Sequence, residues 1–306
     1  MAAERLLIVR PGAIGDALLA SPALAALRRA RPGGRIELMA HPAVGSLLRA
    51  AGLIDRFLSR DGPEADALYA PSPRQAVERL GRLDAAVLWS ADPDGVAAAN
   101  LAALGADPLI VTPARPAEGR LQHVAQYLVQ TLAPLGCDTD RWEEVQLALL
   151  SPARAAERRG PLVVIHLGSG SARKNWPAER FASLARALHA EAGADLALVS
   201  GPADDAARAA FTREVAVPFV EWSGRPLKEL AGYLAACDLY VGNDSGISHL
   251  AGLCGARVLV LFGPTDPRLW RPLGRRVVIR QAAALAELSV DLVLRDALRL
   301  LRGRGG

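Results

Sequence analysis

A glycine-rich turn near the end of the chain gathers side chains that could bind an anion. Residues 242–246 read Gly-Asn-Asp-Ser-Gly, and they separate the apolar run 238–241 from a segment of helical spacing that begins near Ile247. The first backbone N–H groups of a helix have no partner within it and attract anions. Taken singly, an Asp or Ser here is typical of a helix cap, but the cluster and a second glycine turn after the predicted strand 257–262 favour a ligand site. Its candidate residues are Gly242, Asp244, Ser245, Gly246, His249 and Gly263.

A second candidate loop, 168–176, joins the apolar run 162–167 to a helix predicted from Pro177. Gly168 and Gly170 allow a ligand to approach the backbone, while Ser169 and the loop N–H groups can donate hydrogen bonds to a phosphate. Lys174 would add a positive charge. The alternative is an ordinary strand-to-helix loop with exposed basic groups. The combination favours phosphate binding.

The first predicted strand, 6–9, is followed by a turn that contains Gly12 and Gly15 and leads to Asp16. Asp16 fits two roles: an acid in the first turn of a helix, stabilised by the helix dipole, or a general base. Spacing alone favours the dipole role. A plain dinucleotide-binding fold fits less well, because the turn lacks Gly-x-Gly-x-x-Gly and the second strand does not end in an acid.

The segment Asp92-Pro93-Asp94 has the form of a metal-binding Asp-x-Asp motif, but Pro93 and the glycine that follows favour a turn and a helix cap. The histidines are scattered, and no Cys-x-x-Cys or His/Cys metal spacing occurs. We therefore predict no metal site and no cofactor.

The elements that would position these loops alternate between strand and helix, which predicts doubly wound parallel sheets. The predicted strands are 6–9, 35–40, 56–59, 84–89, 109–111, 162–167, 195–200, one near 219, 238–241, 257–262 and 276–279. The main predicted helices are 17–31, which Ser21-Pro22 kinks or restarts, 43–51, 75–80, one ending at 104, 121–135, 177–191, 203–215, 227–236, one from 247, and 290–301.

This alternation occurs twice, so we predict two domains and a ligand cleft between the carboxyl ends of their strands. The predicted bounds are 1–150 for the first domain, 151–160 for a linker with some helix, 161–284 for the second domain and 285–306 for a closing helix with a frayed tail.

Composition limits the classes of partner. The 306 residues carry a formal net charge of +4, and no nucleic-acid motif or aromatic-basic interleaving accompanies it. The three cysteines are widely spaced in apolar surroundings, which is typical of buried thiols in a reducing compartment. Charges at Arg10 and Asp16 interrupt the first apolar run, and no stretch is long and apolar enough to span a bilayer. We expect a cytoplasmic protein, and a basic cluster, Arg28, Arg29, Arg31 and Arg35, leaves open peripheral contact with the inner membrane face.

Several motifs together resemble glycosyltransferase family 9, the ADP-heptose:lipopolysaccharide heptosyltransferases. They are RPGAIGDALLASPALAAL (10–27), DAAVLWSADPDG (84–95), HVAQYLVQTLAPLG (123–136), IHLGSGSARKNWP (165–177), LVSGPADD (198–205) and YVGNDSGISHLAGLCGARVLVLFGPTDP (240–267). The resemblance implies a GT-B fold, in which two Rossmann-like domains face a cleft and the closing helix often crosses back to the first domain. It also implies inverting, metal-independent transfer from a nucleotide sugar.

The resemblance further implies roles for particular residues. Asp16 falls at the family's catalytic aspartate, which deprotonates the acceptor hydroxyl, so the resemblance reverses the preference for a dipole role. Lys174 falls at the family's lysine that binds the donor phosphates. Residues 244–249 fall on the family motif that holds the sugar and the diphosphate. Asp204 or Asp205 falls near the family's ribose-binding acid.

The function that follows is transfer of a heptose-like sugar from a nucleotide donor, with ADP expected, to a lipopolysaccharide-core or other glycan acceptor. Two alternatives stay open: a GT-B nucleotide-sugar epimerase, and a non-catalytic nucleotide-sugar-binding protein. In the family, the turn after strand 84–89 usually carries Gln-Gly and soon a basic residue, whereas this chain has Asp92-Pro93-Asp94-Gly95. This difference leaves the acceptor undetermined.

Overall fold

A computed structural model of the chain describes residues 3–147 and 158–303. The chain divides into two compact units, Met1–Val145 and Gln146–Gly306. Each unit is built on one parallel sheet within the described residues. The helix expected within the linker 151–160 falls mainly on 151–157, and the last three residues of the expected tail are 304–306, so both lie outside the described residues.

The first unit contains a five-stranded parallel sheet with the order β3-β2-β1-β4-β5. Its strands are β1 Arg5–Val9, β2 Arg35–Ala40, β3 Arg56–Ser59, β4 Ala85–Trp89 and β5 Leu109–Thr112. Its helices are α1 Ile14–Leu18, α2 Ser21–Ala30, α3 Gly45–Ala50, α4 Pro63–Leu68, α5 Pro73–Leu80, α6 Val96–Ala103 and α7 Val124–Gln130. The strand order reverses between β1 and β4, where Leu6 pairs with Ile36 on one side and Ala85 on the other. In sheets of this kind, ligands bind beyond the carboxyl ends of the strands at such a reversal.

The second unit contains a six-stranded parallel sheet with the order β11-β10-β9-β6-β7-β8. Its strands are β6 Leu162–His166, β7 Asp195–Ser200, β8 Val220–Ser223, β9 Leu239–Asn243, β10 Val258–Phe262 and β11 Val277–Gln281. Its helices are α8 Ala178–Ala192, α9 Asp205–Val215, α10 Leu227–Ala236, α11 Gly246–Leu253, α12 Pro267–Trp270 and α13 Val290–Arg302. Here the order reverses between β6 and β9, and His166 pairs with Gly242 next to the carboxyl ends of both strands.

Burial of the strands explains why their sequences are continuous apolar runs rather than alternating patterns. Every residue of β4, β9 and β10 is buried, as expected for parallel strands covered by helices on both faces. The core of the second unit includes Trp176 and Phe181, whose rings meet edge to face with centroids 4.8 Å apart. The closing helix α13 packs into this core through Val293 and Ala297.

The prediction of doubly wound parallel sheets is confirmed, and several predicted bounds agree with the structure. Strands 56–59 and 195–200 and helix 227–236 have the predicted ends. The helix predicted over 17–31 restarts at Ser21, as the Ser-Pro pair indicated. Helices α4 and α12 were not predicted.

Two predicted turn glycines lie in regular structure instead. Gly15 is the second residue of α1, because the helix begins one residue before it. Gly242 belongs to β9, which continues to Asn243 because Gly242 stays within the parallel ladder between His166 and Val260. A Cβ atom at Gly242 would lie 2.5 Å from the Tyr240 hydroxyl, so the absence of a side chain there permits packing rather than a turn.

Candidate active site

Asp16 is held in place by two hydrogen bonds in the first unit. Its Oδ2 accepts from the Ala13 N–H at 2.8 Å, which caps the start of α1, and its Oδ1 accepts from Arg10 Nη2 at 3.1 Å. The Asp16 side chain is 27% exposed, whereas that of Arg10 is 2% exposed. Each carboxylate oxygen can accept a second hydrogen bond. The carboxylate is therefore fixed in orientation and can still accept a hydrogen bond from an external donor.

The loop that carries this carboxylate is itself tightly constrained. Gly12 has φ +128°, and a Cβ atom there would lie 2.8 Å from Oδ2 of Asp16. The Gly12 carbonyl accepts a hydrogen bond from Nη1 of Arg60, which follows β3. Burial lowers the pKa of the Arg10 guanidinium, and the charge and hydrogen bond of Asp16 offset part of that effect. Glycine at position 12 and arginine at position 10 thus both serve the placement of Asp16.

In the second unit, the loops after β6 and β9 meet where the strand order reverses. Lys174 Nζ donates to Asp244 Oδ2 at 2.8 Å, and the two side chains are 31% and 7% exposed. The structure therefore brings together the lysine and the acid that the sequence placed in separate motifs. The pair presents a partly exposed ammonium group beside a nearly buried carboxylate.

The start of α11 supplies the other predicted side chains of this site. Ser245 is the N-cap of the helix, and its Oγ accepts from the Ser248 N–H at 3.3 Å. Gly246 is the first residue of the helix, and His249 is 4% exposed one turn further on. The cap role expected for a single serine here is confirmed. The first N–H groups of α11 therefore lie beside the point at which the strand order reverses.

A buried histidine links this helix to the end of β7. His166 Nδ1 lies 3.3 Å from Ser245 Oγ, and its Nε2 lies 3.5 Å from Asp204 Oδ2. Burial acts to raise the pKa of Asp204, but hydrogen bonds from His166 and from the Gly201 N–H outweigh it and hold that pKa below its ordinary value. A Cβ atom at Gly168 would collide with the Asp204 carboxylate, which explains the glycine.

The two acids considered for the ribose have different surroundings. Asp204 is 8% exposed and bonded within the protein, whereas the Asp205 side chain is 76% exposed and lies 3.7 Å from Arg208. A ribose contact from Asp204 stays a prediction.

The remaining predicted loop residues differ in how much the fold constrains them. Ser169 Oγ donates to the Ser171 carbonyl at 2.7 Å, so its hydroxyl supports the local turn. Gly170 is exposed with open space around its Cα. Gly263, by contrast, lies where a Cβ atom would be 3.3 Å from the Arg173 carbonyl oxygen, so this second glycine turn lies against the lysine-bearing loop.

Asp92 has the helix-cap role favoured by its sequence. Its carboxylate accepts from the N–H groups of Ala97 and Ala98 at 3.2 and 2.9 Å, at the start of α6. Over residues 3–147 and 158–303, no group of three or more His, Cys, Asp or Glu side chains is arranged to hold a metal ion. Over the same ranges, no helix combines the length and apolar character needed to cross a bilayer.

Sequence reasoning missed three residues that support these sites: Arg10, His166 and Asn243. Arg10 carried a signal, since a buried strand followed at once by an arginine places a charge where it needs a partner. Asn243 contacts Leu167, which is 76 positions away, and His166 contacts Ser245, which is 79 positions away. No local pattern shows such contacts.

Comparisons with known proteins agree with this fold. The sequence profile of glycosyltransferase family 9 (heptosyltransferase) matches residues 111–289. Lipopolysaccharide heptosyltransferase 3 of Escherichia coli is 28% identical over 173 residues, which cover 51% of this chain and 49% of that protein. Lipooligosaccharide heptosyltransferase 2 of Haemophilus influenzae is 32% identical over 111 residues, covering 35% of this chain and 32% of that protein. The chain thus spans half or less of the length of these curated relatives.

Solved structures match over almost the whole chain. A family 9 glycosyl transferase from Veillonella parvula superposes with a TM-score of 0.81 at 19% identity, covering 98% of this chain and 97% of that one. The E. coli heptosyltransferase WaaC with ADP gives a TM-score of 0.75 at 20% identity, covering 97% and 99%. At this level of identity the likeness establishes the fold.

The fold class is therefore GT-B, built from two Rossmann-like domains. Because the family profile covers more than half of the sequence, the chain belongs to glycosyltransferase family 9.

Proposed function

We propose that this chain is an inverting, metal-independent glycosyltransferase that moves a heptose-like sugar from ADP to a lipopolysaccharide-core or related glycan acceptor. The observation that carries the proposal is the Lys174–Asp244 pair at the strand reversal of the second sheet, 2.8 Å between Nζ and Oδ2. Family membership and relatives named heptosyltransferases support the same activity.

On the donor side, we assign the diphosphate to Lys174, Ser169 and the first N–H groups of α11 at Ser245 and Gly246. Departure of a nucleoside diphosphate leaves negative charge on its terminal phosphate, and fixed cationic or N–H groups stabilise that charge. Asp244 and His249 would hold the sugar, and Asp204 the ribose. A solved relative described as WaaC with ADP supports adenine as the base.

On the acceptor side, we assign Asp16 as the general base. It would take the proton of the acceptor hydroxyl as that oxygen attacks the anomeric carbon from the face opposite the diphosphate, which inverts the configuration. The two hydrogen bonds from Arg10 and the Ala13 N–H hold the carboxylate, so little reorganisation is needed when the proton moves.

Metal independence is part of the proposal because the chain supplies its own positive charge at the phosphate site. Lys174 and the first N–H groups of α11 would stabilise the charge of the leaving group in place of a divalent cation. Transfer in the presence of a strong chelator tests this point directly.

We propose a cytoplasmic protein that meets the membrane face through its lipid-linked acceptor. In the basic cluster Arg28, Arg29, Arg31 and Arg35, two of the four arginines pair with an acid of their own. Arg28 pairs with Asp55 and Arg31 with Glu4, whereas Arg35 shares Glu37 with Arg5 and Arg56. The two paired arginines, Arg28 and Arg31, therefore add little attraction to an anionic surface.

The experiment is a transfer assay with ADP-heptose and a heptose-deficient lipopolysaccharide core, with and without EDTA, read by mass spectrometry of the acceptor and by NMR of the new linkage. The proposal predicts an acceptor heavier by one heptose in both conditions and an anomeric configuration opposite to that of the donor. Release of a free epimerised sugar without acceptor would indicate the epimerase alternative. Nucleotide binding without turnover of any donor would indicate a non-catalytic binding protein.

A further inference from the structure

Asn243, the last residue of β9, joins the two ends of the loop that carries Lys174. Its side chain is fully buried. The Nδ2 group donates to the Leu167 carbonyl at 2.7 Å, and Oδ1 accepts from the Trp176 N–H at 3.0 Å. Leu167 follows β6 and Trp176 precedes α8, so a single amide closes the loop 168–175 at its base.

The amide is well suited to this position because the loop offers one carbonyl and one N–H group. Asparagine has an acceptor and a donor on the same planar group, and only one orientation of the amide satisfies both contacts. The Trp176 side is further anchored, since its Nε1 donates to the Leu288 carbonyl at 3.0 Å. The base of the loop is therefore fixed on both sides.

The lysine of the loop contacts the residue that follows Asn243. Lys174 Nζ donates to Asp244 Oδ2 at 2.8 Å, so two consecutive residues of one strand end hold both the base of the loop and its lysine. Within the loop, the Lys174 N–H donates to the Ser171 carbonyl at 2.9 Å. The position of the ammonium group thus depends on the base of the loop.

We propose that Asn243 is a positioning residue for Lys174, and so sets the affinity of the site for a nucleoside diphosphate without touching it. The statement about affinity for a nucleoside diphosphate rests on the proposed function. The statement that Asn243 holds the loop does not, because it concerns the protein without ligand.

The test is a double-mutant cycle on ADP binding, measured by calorimetry. In the otherwise wild-type chain, Lys174→Ala removes a charged hydrogen bond and is expected to weaken ADP binding about tenfold or more. In an Asn243→Ala background, where the lysine is already displaced, the same change is expected to cost less than about threefold. If Lys174→Ala weakens ADP binding by the same factor in both backgrounds, the two residues act independently and the proposal is overturned, because the free-energy effects of independent sites are additive.

A second readout concerns the loop itself. Amide hydrogen exchange at Trp176 is expected to accelerate about tenfold in Asn243→Ala, because that N–H loses its acceptor. Asn243→Asp preserves the shape but sets a carboxylate oxygen against the Leu167 carbonyl, so it provides a second variant if the alanine protein does not fold. Unchanged exchange at Trp176 and throughout 168–175 in the folded variants would overturn the assignment.

Asn100→Ala is the matched control. Asn100 is also a buried asparagine, and its Nδ2 donates to the Leu68 and Ala70 carbonyls, both at 2.8 Å, in the first unit. Its loss should leave ADP affinity and Trp176 exchange unchanged, and a change in either would attribute the effects to general destabilisation. Should the wild-type chain bind no nucleotide, the proposed function fails, and Trp176 exchange then decides the positioning role alone.

Discussion

The ammonium group of Lys174 lies 2.8 Å from Oδ2 of Asp244, although the two residues stand 70 positions apart in the chain. They meet because the loops after β6 and β9 share the point at which the sheet order reverses. The pair joins opposite charges at a site that we assign to an anionic ligand. Loss of the Lys174 charge should therefore weaken binding of that ligand, and loss of the Asp244 charge should strengthen it.

Neutralising the acid of this pair should strengthen product binding. The Asp244 side chain is 7% exposed, so water screens its repulsion of a diphosphate poorly. With repulsion of about 1 kcal/mol removed, Asp244→Asn should bind ADP about fivefold more tightly. Transfer should slow because the proposed sugar contact is lost. Calorimetry and initial rates check both effects against Asp291→Asn, which neutralises an exposed acid on α13. Weaker ADP binding by Asp244→Asn would contradict the account.

Loss of the proposed base should stop transfer and spare donor binding. Asp16→Asn keeps the shape of the side chain but cannot take a proton, so the rate should fall between about a hundredfold and about ten-thousandfold. ADP affinity should not change. Asp66→Asn is the control, since Asp66 is also an acid in the first turn of a short helix, and it is exposed. A transfer rate of Asp16→Asn near that of wild type would exclude Asp16 as the base.

A methyl group at Gly12 should displace the Asp16 carboxylate. The added Cβ would lie 2.8 Å from Oδ2 of Asp16, in addition to the strain of φ +128°. Gly12→Ala should therefore reduce transfer at least about tenfold, a ~1.4 kcal/mol effect, with ADP binding unchanged. Gly119→Ala separates the two effects, because Gly119 has φ +82° and nothing within 4 Å of its added Cβ. It should lower the free energy of unfolding by about 1 kcal/mol and leave transfer unaffected. Equal loss of transfer in both variants would point to strain alone.

The buried Asp204 should make stability depend on pH on the acid side. Because hydrogen bonds from His166 and the Gly201 N–H hold its pKa below the ordinary value of 3.8 in the folded state, Asp204 contributes stability above that value. This contribution is lost as the pH falls through the lower folded pKa. The difference in unfolding free energy between wild type and Asp204→Asn should thus shrink from about pH 5 to about pH 3. Denaturant titrations across that range check it, and a constant difference would contradict the assignment.

Much of the fold follows from local pattern. Short apolar runs predicted strands 56–59 and 195–200 at their observed ends. In 195–200 all residues but the first are buried, and a strand covered on both faces has no polar alternation. The strand–helix alternation predicted parallel sheets, because two consecutive parallel strands must be joined by a crossover, which is usually a helix.

Where the prediction of elements was wrong, specific side chains explain it. The helix predicted over 121–135 is shorter, because His123 Nδ1 caps the start of α7 by accepting from the Ala125 N–H at 3.2 Å. At the other end, Thr131 Oγ1 bonds back to the Leu128 carbonyl at 2.7 Å, and Pro134 falls in a separate 3₁₀ turn, Ala133–Leu135. Apolar periodicity continues through both features and so hides them.

The sequence predicted which residues form the candidate site, but it did not predict the contacts between them. Glycines marked both loops and a lysine marked the loop 168–176. The sequence alone does not show that Asn243 closes the base of the 168–175 loop or that His166 contacts Ser245. Such contacts depend on which strands become neighbours at the reversal. Spacing placed Asp16 in the first turn of a helix, where the structure has it, but spacing contains no information about the buried Arg10 that also binds its carboxylate.

The most direct measurement of the central claim is calorimetric titration of ADP, UDP and GDP into the wild-type chain and Lys174→Ala, with and without magnesium. Lys228→Ala is a matched control, since Lys228 is the chain's other lysine and is exposed on α10. The account predicts ADP-selective binding that is independent of magnesium, weaker by about 1–3 kcal/mol in Lys174→Ala and unchanged in Lys228→Ala. Equal ADP affinity in wild type and Lys174→Ala, or no binding of any nucleotide to the wild type, would contradict it.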